Sequence, residues 1–286
     1  MKLQPCFTVE GFSPLRRHDV STAPLWTPEA LEPGRMARIL TYNVHRCVGI
    51  DRRLDVERIA AVIAECEPDI VCLQELDVGR ARTGGVDQAH AIAELLSMTF
   101  HFNAAMRVEE EQYGDAILTG LPERRMRIGA LPTLPGVPGL EPRGALWIEV
   151  EIDGRPVQVL NTHLGLVPRE QRRQATALLG KDWLGSPECQ GATVLVGDFN
   201  CTSLTRPYKS LVGRLRDAQR CLDLPRSIKT FPSAFPALRI DHCFISPEIS
   251  IKRIHAPFHP LARMASDHLP LVIDFDVEAV ASATAA

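Results

Sequence analysis

Six places in the sequence end an apolar run with a residue able to do chemistry. They are Asn43, Glu75, His163, Asp198 with Asn200, Asp241 with His242, and Asp267 with His268. Taken singly, each is what a turn or a helix cap would use. Taken together they ask for more. Four of the six bring a carboxylate, and like charges gathered in one place repel unless a cation or a reaction holds them. Asparagine and carboxylate oxygens without thiolates suit a hard ion, Mg²⁺ or Mn²⁺. Histidines beside carboxylates suit proton transfer near neutral pH. A hard divalent ion, histidines and amide side chains are the equipment for attack of water on a phosphate ester.

Such groups need rigid elements to hold them. Short runs rich in Val, Ile and Leu, bounded by Gly, Pro, Asn or Asp, predict strands over 37–42, 69–74, 115–119, 145–152, 156–161, 193–197, 239–245, 250–254 and 270–276. Helical spacing of apolar residues predicts helices over 55–66, 87–97 and 169–184, the last carrying Ala175, Leu178, Leu179 and Trp183 on one face. A weak internal echo links the two halves. Residues 39–45 and 158–164 each read as a strand ending in Asn-x-His, then a helix, then a buried strand ending in an acid, Glu75 or Asp198. Two such β-α-β halves imply two sheets packed face to face with helices outside, and a site where the strand ends of both halves meet. The chain is then one domain over 36–278, between a proline-bearing leader at 1–35 and a small-residue tail at 279–286.

Composition bounds the partners. The 286 residues suffice for a large core, and 45% hydrophobic with 23% charged content is ordinary for a globular protein. A formal net charge of −3 lacks the basic excess of proteins that clamp long nucleic acid, although a local basic groove can hide in that total. The eight cysteines form no CxxC pair, which argues against structural zinc and for a reducing compartment. No apolar stretch approaches the roughly 20 residues of a membrane span. The first ten residues lack the apolar core of a signal peptide, so the expected location is the cytoplasm, with a monomer as default.

Eight segments in order carry a resemblance. They are Thr-Tyr-Asn43-Val-His, Leu-Gln-Glu75, Tyr113-Gly-Asp-Ala-Ile-Leu, Glu-Pro-Arg143-Gly-Ala-Leu, Asn161-Thr-His163-Leu, Gly-Asp198-Phe-Asn200, Arg-Ile-Asp241-His and Ser266-Asp267-His268-Leu-Pro. Over about residues 37–276 the set resembles the endonuclease/exonuclease/phosphatase (DNase I-like) superfamily, most of all compact bacterial members of unassigned substrate. The resemblance implies a four-layered α/β sandwich, two mixed, mainly antiparallel sheets flanked by helices. It implies Mg²⁺, with Mn²⁺ as a substitute, at Glu75, with Asn43 and Asp267 beside it. It gives His163, Asp198, Asn200, Asp241 and His268 catalytic roles, and Tyr113, Arg143 and Asn161 contact with substrate. Asp198 and His268 both remain open as the base, with Asp241 orienting His268. Asp115 stands where relatives often carry Asn.

The implied function is a Mg²⁺-dependent phosphoesterase, most simply a phosphodiesterase acting through activated water. The partner is a phosphate ester, whether a small diester, a lipid headgroup or nucleic acid. A structure- or lesion-specific endonuclease would want a basic, aromatic insertion, which the sequence lacks. A lipid-headgroup phosphodiesterase would want an exposed apolar loop, for which 131–140 is a weak candidate. An inactive binding module is the non-enzymatic alternative, and hydrolysis of a simple diester separates it from the rest. Residues 77–85 read as a basic loop, solvated by default or else touching an anionic substrate, 230–236 as a pocket wall or sheet plug, and His90 and His101 as bystanders. Arg143 is balanced between a phosphate contact and a structural ion pair.

Overall fold

The computed structural model describes residues 24–27, 34 and 36–278. Most of the expected leader, and all of the expected tail, lie outside the described residues. Leu25, within that leader, donates its N–H to the Leu95 carbonyl at 2.9 Å, and Trp26 packs on the adjoining core.

Twelve strands and five α-helices alternate along the described chain. The first half holds β1 (Ala37–Asn43), α1 (Val56–Ala64), β2 (Ile70–Val78), α2 (Gln88–Leu95), β3 (Thr99–Val108), β4 (Glu111–Thr119) and β5 (Glu123–Ala130). The second holds β6 (Gly144–Ile152), β7 (Arg155–His163), α3 (Pro168–Leu178), β8 (Thr193–Asp198), α4 (Arg206–Val212), β9 (Arg216–Asp217), β10 (Asp241–Ile245), β11 (Ile249–His255), α5 (Pro260–Ala265) and β12 (Leu271–Val277).

The strands form two six-stranded sheets, ordered β11-β12-β1-β2-β4-β3 and β5-β6-β7-β8-β10-β9. Each sheet has one parallel pair, β1–β2 in the first and β7–β8 in the second, each joined through a helix. All other pairings are antiparallel. These two β-α-β units are the internal echo of the sequence, and the parallel pairing brings both strand ends of a unit to one rim. Asn43 lies opposite Gln74 in the first unit, and His163 opposite Asp198 in the second.

Side-chain alternation explains the four layers. Ile39, Ile70, Cys72, Val159, Val194 and Val196 face the other sheet and form the middle core. Leu40, Tyr42, Val71 and Leu73 face outward and bury α1, with Ile59 and Ile63 fully covered. Leu160, Leu195 and Phe244 do the same for α3 and α4 in the second sheet. Central strands are therefore covered on both faces and read as continuous apolar runs. Local signals start the helices: the Asp55 carboxylate caps α1 by accepting the Arg58 N–H at 2.8 Å.

Several elements depart from expectation. The third helix ends at Leu178, not 184; Leu184 N–H returns to the Leu178 carbonyl, so Trp183 is buried from a turn rather than a helix. β3 and β5 were not expected, because as edge strands they carry exposed charge, Glu123-Arg-Arg-Met-Arg in β5. β2 runs four residues past its expected end at 74, so Asp77 belongs to the sheet. The segment after it is largely exposed, as expected of a solvated loop, but it is tied down. Arg82 grips Asp77 with two hydrogen bonds of 2.7 Å, and Arg80 lies 3.3 Å from Glu111. All seven described cysteines are free, and six are buried. No helix among the described residues is long and apolar enough to cross a membrane.

Candidate active site

The middle core stops short of the rim where the two parallel pairs end, and polar groups replace it. Gln74 and Asn161 meet there across the sheets: Gln74 Nε2 donates to Asn161 Oδ1 at 2.7 Å. Asn161 Nδ2 donates to the Leu73 and Ala116 carbonyls, both at 2.9 Å. The Asn161 side chain is thus consumed in tying the sheets together. It is fully buried and does not line the cleft, so the expected substrate contact is corrected to a structural bridge.

Above this bridge opens a cleft of about 490 Å³. Glu75, Tyr113, Arg143, His163, Asp198, Asn200, Asp267 and His268 line it, all expected from sequence. Glu75 reaches it through a bulge, where the β2–β4 register slips between Leu73 and Leu76 and Glu75 takes φ 62°. The Asp115 carboxyl lies beside that bulge, where the Glu75 backbone N–H opposes the rise of its pKa. Burial raises the Asp115 pKa to about 7, against the opposing pull of Arg143.

Asn43 joins the sheets at the rim. Its Nδ2 donates to Glu75 Oε1 at 3.0 Å and to Asp198 Oδ2 at 3.1 Å. Its Oδ1 accepts the His45 N–H at 3.0 Å, so as placed the amide orients carboxylates with its donor side. Asn200, at φ 49°, gives its own N–H to Asp198 Oδ1 at 2.8 Å. Its Nδ2 reaches the Leu164 carbonyl and His163 Nε2, both at 2.9 Å.

His268 comes from the loop before β12, in the first sheet, and meets Asp241 of β10, in the second. Its Nδ1 lies 2.9 Å from Asp241 Oδ2, and its Nε2 lies 3.6 Å from Asp198 Oδ2. Burial alone would strip the proton from this ring. The charges of Asp241 and Asp198 overcome that and hold its pKa well above the usual histidine range. Burial and the Asp241 charge push Asp198 upward. Thr230 donates its hydroxyl to Asp241 Oδ2, and the Phe231 ring lies 4.8 Å from His268, so residues 230–231 form a wall of the cleft. Ser266 locks the His268 loop to β1 by donating to the Asn43 carbonyl at 2.8 Å. The bracing contacts of Thr230 on Asp241 and of Ser266 on Asn43 escape sequence reasoning, because each partner is distant in the chain.

His163 is the opposite case. Burial, Arg143 and His268 all drive its pKa well below the usual value, so the ring is neutral. Arg143 approaches Nδ1 at 3.0 Å while the Asn200 amide approaches Nε2. Both neighbours are donors, and a neutral imidazole has one acceptor nitrogen. The cleft therefore holds one donor too many. Arg143 Nε is also buried without a partner, while its NH2 lies 3.0 Å from Glu141. Surplus donors in a concave, half-dry site are what an anion satisfies.

A cation fits as well. Asp198, Asp241 and His268 present ligand atoms all within 4.8 Å of one another, a group able to hold a metal ion. The charged His268 already supplies positive charge there. Glu75 and Asp267 offer oxygen alone, and the Asp267 side chain is 39% exposed. That donor chemistry fits a hard divalent ion. His242 takes no part: its Nε2 meets the Cys201 carbonyl at 2.8 Å, and its ring packs with Phe199, Tyr208 and Phe244. His90 and His101 are likewise outside the cleft, His101 on Glu123 at 2.7 Å.

Residues 40–268 match the sequence profile of the Endonuclease/Exonuclease/phosphatase family. The chain belongs to that family. YbhP of Escherichia coli, an uncharacterised protein, is 26% identical over 247 residues, covering 82% of this chain and 94% of YbhP. Among solved structures, an endonuclease/exonuclease/phosphatase from Beutenbergia cavernae superposes with a TM-score of 0.65 at 24% identity, over 85% of this chain and 72% of that one. The mannosyl-6-phosphatase Bt3783 of Bacteroides thetaiotaomicron superposes with a TM-score of 0.67 at 21% identity, over 84% and 99%. At such identities the structural likeness speaks for the fold, and the two-sheet sandwich is that of the endonuclease/exonuclease/phosphatase family. Family membership supports hydrolysis of phosphate esters as the general activity.

Proposed function

We propose that this endonuclease/exonuclease/phosphatase family member is a Mg²⁺-dependent phosphodiesterase that works through a water molecule activated in the cleft. One observation carries the reading: a single amide, Asn43, bonds Glu75 of one sheet and Asp198 of the other, next to a charged His268 held by Asp241. Glu75, with Asp267 and the Asn43 amide beside it, would hold the ion, which supplies positive charge against the phosphate oxygens.

The chain's own groups do the rest. Surplus donors on Arg143 and Asn200 bind non-bridging oxygens, and His163 releases one of its two donor neighbours to them. The cationic His268 cannot take a proton, so Asp198 is the base toward water. His268 stabilises the negative charge that builds on the non-bridging oxygens as the new P–O bond forms, and it gives its proton to the ester oxygen that leaves as the old P–O bond breaks. Phe231, against the ring, keeps bulk water from the His268–Asp241 pair. The test is hydrolysis of bis-p-nitrophenyl phosphate with Mg²⁺ or Mn²⁺, abolished by EDTA and restored by added ion. Absence of turnover with every divalent ion tried would reject the enzyme reading in favour of a binding module.

A further inference from the structure

The loop after Asn43 is the least relaxed backbone at the cleft. His45, Arg46 and Cys47 take φ of 45°, 57° and 57° in succession. Left-handed backbone is unfavourable for any residue with a Cβ and is normally visited singly. Three in a row persist only where the surroundings over-determine them, and such strain collects at functional positions. The clamps are identifiable. His45 N–H is held by Asn43 Oδ1, and Asp55 N–H donates to the Cys47 carbonyl at 2.9 Å. Gln88 Nε2 donates to the Arg46 carbonyl at 2.7 Å, while Gln88 Oε1 accepts the Asp77 N–H at 2.9 Å. The turn is thereby rooted in β2, and it delivers His45 and Arg46 to the cleft lining.

Three guanidinium groups line this cleft, and they differ in company. Arg82 is bidentate on Asp77, and Arg143 is held by Glu141. Arg46 forms no ion pair among the described residues. One of its terminal nitrogens lies 2.7 Å from His45 Nε2, and its Nε is buried without a partner. Arginine has donors only and keeps its charge at any working pH. The cleft has the volume of a site for a small organic molecule, larger than one phosphoryl group requires. Asn200, His163 and His268, which serve the reacting phosphoryl group, contact Asp198, Asp241 and Arg143; Arg46 contacts His45 instead.

We propose that Arg46, presented by the strained left-handed turn, binds a second phosphate of the substrate, separate from the phosphoryl group that is hydrolysed. The proposal rests on the phosphoesterase reading and names its substrate class: small esters carrying at least two phosphates.

Calorimetric titration of the full chain in EDTA, using fructose 6-phosphate and fructose 1,6-bisphosphate as probes, tests it without turnover. The wild type is expected to bind the bisphosphate at least roughly tenfold tighter, the scale of hydrogen bonds to a charged group. Arg46→Gln is expected to erase that preference, and Arg46→Lys, which keeps charge but not the fork, to retain part of it. A wild type indifferent to the second phosphate, or a preference that survives Arg46→Gln, overturns the proposal. Failure of the wild type to hydrolyse bis-p-nitrophenyl phosphate strikes the phosphoesterase reading instead, so the two failures are distinguishable.

Discussion

At His268 two opposing forces act on one proton. Burial favours the neutral ring, and the carboxylates of Asp241 and Asp198 favour the charged one, at 2.9 and 3.6 Å. The charges win, which leaves the ring protonated beside the groups assigned to the reaction. Replacing His268 by Ala is expected to lower turnover of bis-p-nitrophenyl phosphate by roughly 10²–10⁴, the range of positioned acid–base groups. The circular-dichroism spectrum should stay that of the wild type. Wild-type turnover in that variant would remove His268 from the mechanism. Asn161 shows how residue type alone misleads. It lies two residues before His163 and has the chemistry of a ligand, yet its amide is spent on Gln74, Leu73 and Ala116. Sequence reveals that an amide is present; only the packing of the second sheet on the first reveals which groups claim it.

Elements decide how closely those residues can meet. Gly197 sits in β8 at φ 143°, and a Cβ there would lie 1.8 Å from the Thr162 carbonyl oxygen. That close approach keeps β7 and β8 paired up to the rim, where His163 and Asp198 lie opposite. Gly197→Ala is expected to be among the large losses, about 4 kcal/mol or more, read as insoluble protein or a collapsed urea midpoint. Asn161→Ala tests the bridge between sheets. Leaving buried carbonyls without a donor costs about 1–3 kcal/mol each, so the urea midpoint should fall. A variant with wild-type stability and a raised KM would return Asn161 to the substrate. The sequence legibly marked the central strands, since burial on both faces demands continuous apolar runs. It hid β3 and β5, where one exposed face admits charge, and it hid the bulge at Glu75, which follows from the pairing register with a neighbouring strand.

Across the whole molecule, stability should respond to ions and to acid. An ion bound by the folded cleft and not by the unfolded chain stabilises by RT ln(1 + [L]/Kd), about 2.7 kcal/mol at a hundredfold excess over Kd. Mg²⁺ is therefore expected to raise the melting temperature, and Glu75→Gln to abolish most of the rise; an equal rise in that variant would place the ion elsewhere. Asp217, which is not part of the cleft lining, contributes to the acid limb. Burial pushes its carboxyl up, but Arg239, at 2.5 and 2.7 Å, and the Tyr208 hydroxyl outweigh this and lower its pKa below 3.8. A depressed folded pKa gives stability that is full above the unfolded value and lost as pH falls through the folded one. The wild type should thus melt higher than Asp217→Asn at neutral pH, with the gap closing below about pH 4. A gap independent of pH would mean that packing, and not charge, carries the effect.

The sequence by itself determined the layered fold and eight of the residues that line the cleft. Apolar alternation and strand-end polar residues are local signals, and they follow from the need to bury strands and to expose chemistry. Tertiary structure alone decided the charge on His268, the neutrality of His163, the loss of Asn161 to the core and the absence of an ion pair on Arg46 among the described residues. Each of those depends on which distant groups lie within a few ångströms in a low dielectric, and no local run of residues contains that distance.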